Sequence, residues 1–402
     1  MKSIAALVLI ALAAAACQND SNGAAPPEIV IASAFPTSAF GVRLWQQAVE
    51  FAVRQQSTID GYSVVYRPFD DSLGSEQDQL VARRNVRLMI ADSSVLGVVG
   101  PGSSFETVHE LPLANPVPLA MISPSATNVC LTQPPFRCGP TPADLRPSGL
   151  TTFFRISPRD PLAGQAMADY AVAHLGVTKV AAFNELGVEG VSYLLELSNE
   201  LHKQGAELVY QQDLPEGTVK FSDFLSIAKN LGADAVFAFA PGDDNSCVAA
   251  QQMSALMPKA IFFGTDGNTS DPACIKQMGT SPPGAWAAVP DVDRIVATDP
   301  AVENRAKAFL KAFPQKTLYA YTLAAYDATR ILIEAIDLAI RDSHGFPTRS
   351  KVVEELATKT FVEATGTYRF DANGDAVAPL MSIYKVQGSH WVFADVYTFG
   401  AA

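Results

Sequence analysis

The feature that most constrains this chain is an alternation that begins at Glu28: short runs rich in β-branched and aromatic residues take turns with segments whose apolar residues recur every three or four positions. That pattern is the signature of βαβ units around parallel sheets. In the first half, residues 29–34, 63–66, 95–99 and 119–122 read as strands. Between them Leu44, Ala48, Phe51 and Ala52 share one helical face, and 79–90 reads as a second amphipathic helix. A Pro-rich stretch, 133–147, interrupts the rhythm, which restarts with strands at 153–156, 180–183, 208–210, 236–239 and 261–263. There Phe221, Phe224, Leu225 and Ala228 fall at i, i+3, i+4 and i+7, the spacing of a core stripe. After Asp291 come helical patterns at 301–313, 321–340 and 351–357. A strand-turn-strand region follows at 368–396, with Asp371-Ala372-Asn373-Gly374-Asp375 as a polar turn. The expected class is α/β, two doubly wound parallel-sheet lobes that are not simple consecutive segments. A length of 402 residues fits two domains at roughly 100–200 residues each.

The N-terminus reads as a leader. Met1-Lys2-Ser3 is a short basic start, residues 4–16 are apolar, and Ala14-Ala15-Ala16-Cys17 is a small-residue cleavage site ending on cysteine. Thirteen apolar residues fall short of the ~20 that cross a bilayer, so a membrane span is not indicated. The ending resembles a bacterial lipobox, although the leucine common three residues before the cysteine is missing. The resemblance implies cleavage before Cys17 and lipidation of its thiol; the plainer reading is an ordinary secretory leader. Residues 17–27 are small and polar and read as a flexible tether. The expected location is therefore the periplasm or cell surface, with the chain held as a membrane-anchored lipoprotein. Loss of Lys2 with the leader moves the formal charge from -12 to -13, which argues against a nucleic-acid or anionic-membrane surface and for small solutes as partners.

Four cysteines remain after Cys17, an even number in an exported chain, so disulfides are expected. Three connectivities exist. Local pairing, Cys130 with Cys138 and Cys247 with Cys274, staples a Pro-rich loop and ties a helix start to a loop after the next strand. The Cys/His spacing of a zinc site is absent, so no metal or other cofactor is expected.

Catalytic motifs are missing from their required contexts. Gly97-Val98-Val99-Gly100-Pro101-Gly102 lacks dinucleotide-cradle spacing, and there is no phosphate-binding GxxxxGK[ST] loop. The histidines at 109, 174, 202, 344 and 390 are isolated, and Ser103-Ser104 is not in a GxSxG elbow. The expectation is that this chain is not an enzyme.

What is present is a pair of loops where strands leave a sheet, the place at which such sheets deliver ligand groups. Val98-Val99-Gly100-Pro101-Gly102-Ser103-Ser104 turns on Gly and Pro and puts two hydroxyls before a helical stretch. A helix N-terminus with free N–H groups attracts anions, though plain N-capping explains such serines too. The next strand ends in Ser123-Pro124-Ser125-Ala126-Thr127-Asn128. Two such loops side by side can grip a carboxylate.

On these passages, together with FFRISPRDPLAG (153–164), IFFGTDG (261–267), YAYTLAAYDA (319–328) and GTYRFDANGD (366–375), the chain resembles the periplasmic binding proteins of leucine/isoleucine/valine ABC importers. The passages occur in the family's order across essentially the whole mature chain. The resemblance implies a type I periplasmic binding fold, with one lobe of 28–152 plus 290–378 and another of 153–289 plus 379–402, joined by three crossovers. It places an α-carboxylate clamp on Ser104 and Thr127, with Ser125 and Ala126 lining the same loop. It puts the acidic partner of a ligand ammonium on Asp266, a residue that reads equally as a turn residue before Gly267. Phe40 takes the position of an aromatic wall. Gly187 and Gly242 stand where relatives place aromatic side chains, which implies a larger or differently lined pocket; Glu185, Asp243 and Asp244 lie beside them.

The resemblance implies a receptor that closes two lobes on an amino acid or similar zwitterion and docks on an ABC permease in the membrane. The alternative is a tethered sensor for an amide, a urea-like compound or an aromatic acid.

Overall fold

The computed structural model describes residues 27–39, 41–74, 76–133, 138–186, 190–240, 246–270, 272–278, 284–290, 299–315 and 318–399. Two sheets carry the architecture. The first has six strands in the spatial order Thr58–Ile59, Tyr62–Asp70, Ile29–Phe35, Val95–Val99, Ala120–Ser123 and Phe153–Arg155; only the Thr58–Ile59 edge pairs antiparallel. The second has seven, Glu207–Asp213, Lys179–Asn184, Ala235–Phe239, Ile261–Gly264, Ala285–Val289, Leu380–Gln387 and His390–Thr398. The first five pair parallel, and Leu380–Gln387 pairs antiparallel with both Ala285–Val289 and His390–Thr398. The α/β class and the two doubly wound sheets expected from the sequence are the ones found.

Parallel strands are covered on both faces and so read as continuous apolar runs rather than alternating ones. All seven residues of Ile29–Phe35 and all five of Val95–Val99 and Ala235–Phe239 are buried. On one face of the first sheet lies a core that includes Trp45, Ala48, Val49 and Ala52 of the helix Val42–Gln55 and Ile331, Leu332, Ala335 and Ile336 of the long helix Thr322–Ser343. On the other face Val86 and Met89 of Gln79–Ala91 and Leu111 and Ala114 of Ser104–Ala114 complete a second core. Asp78 caps Gln79–Ala91, its side chain accepting from the amides of Leu80 and Val81. The long helix lies so close that a Cβ at Gly97 would stand 2.5 Å from Leu332 Cδ1, which is why that strand position carries glycine. The second sheet is likewise sandwiched, by Asp160–Leu175 and Gly190–Lys203 on one face and Ser222–Asn230, Ser246–Leu256 and Pro272–Met278 on the other.

The strand Phe153–Arg155 differs in place from the sequence reading. It was expected to open the second lobe, but it is the edge of the first sheet, paired in register with Met121, Ile122 and Ser123. Phe153 and Phe154, both fully buried, project into the two opposite cores of that sheet. The chain therefore changes sheets after Arg155, returns after Val289, and crosses again between the Asp375 bridge to Arg155 and Leu380. A cavity of about 20 Å³, lined among others by Ser157, Pro290, Thr365 and Leu380, marks where these crossings gather. A strand the sequence reading passed over, Ala285–Val289, is rich in alanine, a residue of low strand propensity held here by pairing on both sides.

Both local disulfides form, Cys130–Cys138 and Cys247–Cys274. Among the described residues no helix is long and apolar enough to cross a membrane. Residues 1–26, with the leader, Cys17 and nearly all of the tether, lie outside the described residues.

Candidate functional site

The two loops singled out in the sequence stand side by side at the carboxyl ends of adjacent parallel strands, Val95–Val99 and Ala120–Ser123. In the first, Gly100 has φ +128, and a Cβ there would sit 2.6 Å from the Ala34 carbonyl oxygen; only glycine permits this turn against the neighbouring strand. Ser103 caps the helix Ser104–Ala114, accepting from the Phe105 amide at 3.1 Å and donating to Glu106. Ser104 is the first helical residue. Its Oγ accepts the Asn128 amide at 3.1 Å, which joins the two loops and leaves the hydroxyl proton for another acceptor.

The second loop is tied to the first at several points. Ser123 Oγ donates to the Pro101 carbonyl at 2.7 Å and accepts the Ala126 amide at 2.9 Å; Ser125 Oγ donates to the Gly102 carbonyl at 2.7 Å. The Ser125 proton and both Ala126 backbone groups are thus used within the protein, the Ala126 carbonyl accepting from Arg155 Nη1 at 3.1 Å. Thr127 is the residue of this loop whose groups face outward from it. Its carbonyl accepts the Asp160 amide at 2.9 Å, and its hydroxyl bonds the Asp160 carboxylate. Among the described residues its amide has no hydrogen-bond partner.

Asp160 begins the helix Asp160–Leu175 of the second lobe, so these bonds cross between lobes. Tyr193 OH also donates to Asp160 Oδ1, at 2.7 Å. Burial pushes the Asp160 carboxyl up to about 6 against those hydroxyl bonds, and the negative charge of Asp266 pushes it the same way.

Asp266 follows the second-sheet strand Ile261–Gly264 and opens the short helix Asp266–Ser270. The turn is fixed by Asn268, whose Oδ1 accepts the Thr265 amide at 2.9 Å and whose Nδ2 donates to Ser246 Oγ at 2.8 Å. A Cβ at Gly264 would overlap that side chain. The Asp266 carboxylate accepts Tyr321 OH at 2.8 Å from the opposite lobe, and burial raises its pKa. Tyr321 holds a left-handed conformation, φ 64, at the start of Thr322–Ser343. Trp45 packs on it edge to face at 5.6 Å and donates through Nε1 to the Ala320 carbonyl at 2.7 Å. The structure therefore gathers Ser104, Thr127 and Asp266 around one junction between the lobes and adds Asp160, Tyr193 and Tyr321.

Phe40, Gly187, Gly242, Asp243 and Asp244 lie outside the described residues. Asp160 and Tyr321 went unnoticed in the sequence because an Asp before a Pro reads as an ordinary helix start and Tyr321 as one apolar residue among several. Among the described residues, no group of three or more His, Cys, Asp or Glu side chains is arranged to hold a metal ion. What the junction offers a small solute is the Ser104 hydroxyl proton, the Thr127 amide and a helix N-terminus on one side and two carboxylates on the other.

The family model described as periplasmic binding protein matches residues 36–390. The Leu/Ile/Val-binding protein homolog 3 of Brucella melitensis is 25% identical over 355 residues, covering 87% of this chain and 88% of that protein. In fold, the chain is similar to the leucine binding protein of Thermotoga maritima (TM-score 0.70, 22% identity, 92% of this chain and 98% of that one). It is also similar to a solute binding protein of R. palustris in complex with benzoate (TM-score 0.67, 17% identity, 92% and 96%).

Proposed function

The chain belongs to the periplasmic binding protein family, and from that premise we propose that it is the solute receptor of an ABC importer and closes its two lobes on an amino acid. The observation that carries this reading is the meeting of unlike halves at the lobe junction. The charge of Asp266 adds to burial in raising the proton affinity of Asp160, and Thr127 of the carboxylate-gripping loop bonds directly to Asp160. An α-ammonium placed between these carboxylates neutralises them by charge-assisted hydrogen bonds, and the adjoining α-carboxylate reaches the Ser104 hydroxyl and the Thr127 amide. A ligand with a carboxylate and no cation leaves the acid pair uncompensated and costs protonation of one member.

Residues 28–155 with about 290–378 form the first lobe and the rest of the mature chain the second, the three crossings serving as hinge. Tyr321 reaching Asp266 is a contact of the closed form. A ligand spanning both lobes favours closure by its higher affinity for that state. The leader, lipidation of Cys17 and docking on a membrane permease complete the reading. Proteins of similar fold support a solute of this size: one is a leucine binding protein, and another is in complex with benzoate. The benzoate case supplies the competing reading, an aromatic-acid receptor.

The test starts from the chain without residues 1–17, refolded to strip any bound solute and screened by thermal unfolding against apolar amino acids, polyamines, amides and aromatic acids. Ligand at a hundred times its dissociation constant adds about 2.7 kcal/mol. Stabilisation by an amino acid that disappears in Asp266→Ala and Ser104→Ala is the expected result. Stabilisation by benzoate alone transfers the reading to aromatic acids.

A further inference from the structure

Arg155 has no place in the ligand contacts proposed above, yet it is the largest fully buried side chain of the described residues, with 0% exposure. Its guanidinium is spent on one loop and one crossing. Nη1 donates to two carbonyls of the clamp loop, Ala126 at 3.1 Å and Asn128 at 2.8 Å, and Nη2 donates to Thr132 Oγ1. Nε donates to Asp375 Oδ1 at 2.7 Å. The other Asp375 oxygen accepts from Thr132 Oγ1 at 3.1 Å and Gln133 Nε2 at 3.0 Å, with Arg159 Nε at 3.5 Å. The backbone is joined as well: the Arg155 amide donates to the Gly374 carbonyl, and the Ala376 amide to the Arg155 carbonyl.

We propose that Arg155 is a positioning residue of the ligand site: with Asp375 it grips the carbonyls flanking Thr127, holds that amide outward, and ties the clamp loop to two of the three lobe crossings. The physical ground is geometric. The Ala126 carbonyl and the Thr127 N–H belong to one planar trans peptide, so a carbonyl fixed on the guanidinium points that N–H the opposite way. Only a planar fork with five donors reaches two carbonyls, a hydroxyl and a carboxylate at once. An ammonium in its place has three donors at one point. Because the same guanidinium spans the loop and the Asp375 turn, a change in loop geometry on ligand contact is transmitted to strands on which the lobes swing. The inference rests on the amino-acid reading only for the identity of the group the amide meets.

The experiment pairs two measurements on the mature chain and its Asp375→Asn, Thr132→Val and Arg155→Lys variants. Amide hydrogen exchange of the ligand-free proteins reads the loop itself, and L-leucine titration at 25 °C reads the site. Asp375→Asn and Arg155→Lys are expected to speed exchange tenfold or more in 125–132 and in the 371–377 turn. The strands Lys179–Asn184 and Ala235–Phe239 are expected to stay as in the parent. L-leucine affinity is expected to fall about tenfold, with Thr132→Val in between. A lower melting temperature with parental exchange in 125–132 and parental affinity makes Arg155 a structural residue only and overturns the proposal. Faster exchange in that loop, in a parent that binds no L-leucine, upholds the positioning role and overturns the amino-acid reading alone.

Discussion

Behind the clamp lies a group of carboxyls the proposed ligand does not reach, and it sets a sharp expectation for stability against pH. Glu106, in the first turn of Ser104–Ala114, and Glu110, one turn on, are fully buried beside the buried Asp71. Apart from Asn85 Nδ2 donating to Asp71 Oδ1 at 2.8 Å and Ser103 donating to Glu106, four of their six oxygens have no hydrogen-bond partner. Burial, and then the charge of Asp71, push Glu106 from 4.5 up to about 7; the same causes push Glu110 well above its ordinary range. A carboxyl whose folded pKa is raised contributes stability fully present below about 4.5 and lost as pH rises through about 7. For Glu106 alone the linkage integral costs about 2 kcal/mol by pH 6 and on the order of 3 kcal/mol by pH 8. Glu106→Gln keeps an acceptor for Ser103 and removes the titration. It is expected to match the parent within about 1 kcal/mol at pH 5, the cost of one unsatisfied amide donor, and to exceed it by on the order of 3 kcal/mol at pH 8. In a lobe of about 200 residues that is roughly 6–12 °C in melting temperature. Unfolding of both proteins by heat and by urea at half-unit pH steps from 4.5 to 8.5 gives the difference curve. A flat difference means Glu106 is ionised at no cost and refutes the burial argument.

Tyr321→Phe removes the hydroxyl that crosses to Asp266 and little else, so the ligand-free closed form is expected to lose about 0.5–1.5 kcal/mol; small-angle scattering should show a larger radius of gyration for the ligand-free variant, and an unchanged radius speaks against the contact as a latch. Gly100→Ala puts a methyl 2.6 Å from the Ala34 carbonyl at φ +128, for an expected loss of roughly 1–3 kcal/mol in urea unfolding together with weaker ligand binding; parental stability would show that the turn can relax. Reduction of Cys247–Cys274, which closes 27 residues, is expected to destabilise the second lobe by on the order of 3 kcal/mol, read as a lower urea midpoint for the Cys247→Ala/Cys274→Ala pair.

The fold was legible because parallel sheets write themselves as uninterrupted apolar runs. Ile29–Phe35 and Ala235–Phe239 could be read directly, and the amphipathic stripe of Ser222–Asn230 could be read from its spacing. The strand Ala285–Val289 could not, because Ala-Trp-Ala-Ala-Val owes its conformation to its two neighbours rather than to propensity. Phe153–Arg155 was seen as a strand but assigned to the wrong sheet: nothing local in Phe-Phe-Arg says on which side of a crossing it pairs. Of the proposed site, the hydroxyls after two strands mark Ser104 and Thr127 as candidates in the sequence. The division of labour between them, with Ser125 and Ala126 spent on holding the loop, depends on contacts with Gly102, Ser123 and Arg155 that sequence spacing does not encode. Arg155 and Asp375, 220 positions apart, are each unremarkable in isolation, and only the pairing of edge strand with returning turn makes them one unit.

Selection of a zwitterion by two carboxylates at the lobe junction is the core of the proposed function. Its most direct test is calorimetric titration of the refolded parent and Asp266→Asn with L-leucine and, separately, with benzoate at pH 7.5. The parent is expected to bind L-leucine and not benzoate, and the variant to lose tenfold or more of its affinity for L-leucine. Benzoate binding to the parent that is unchanged or strengthened in Asp266→Asn, with no heat from L-leucine in either protein, would contradict it.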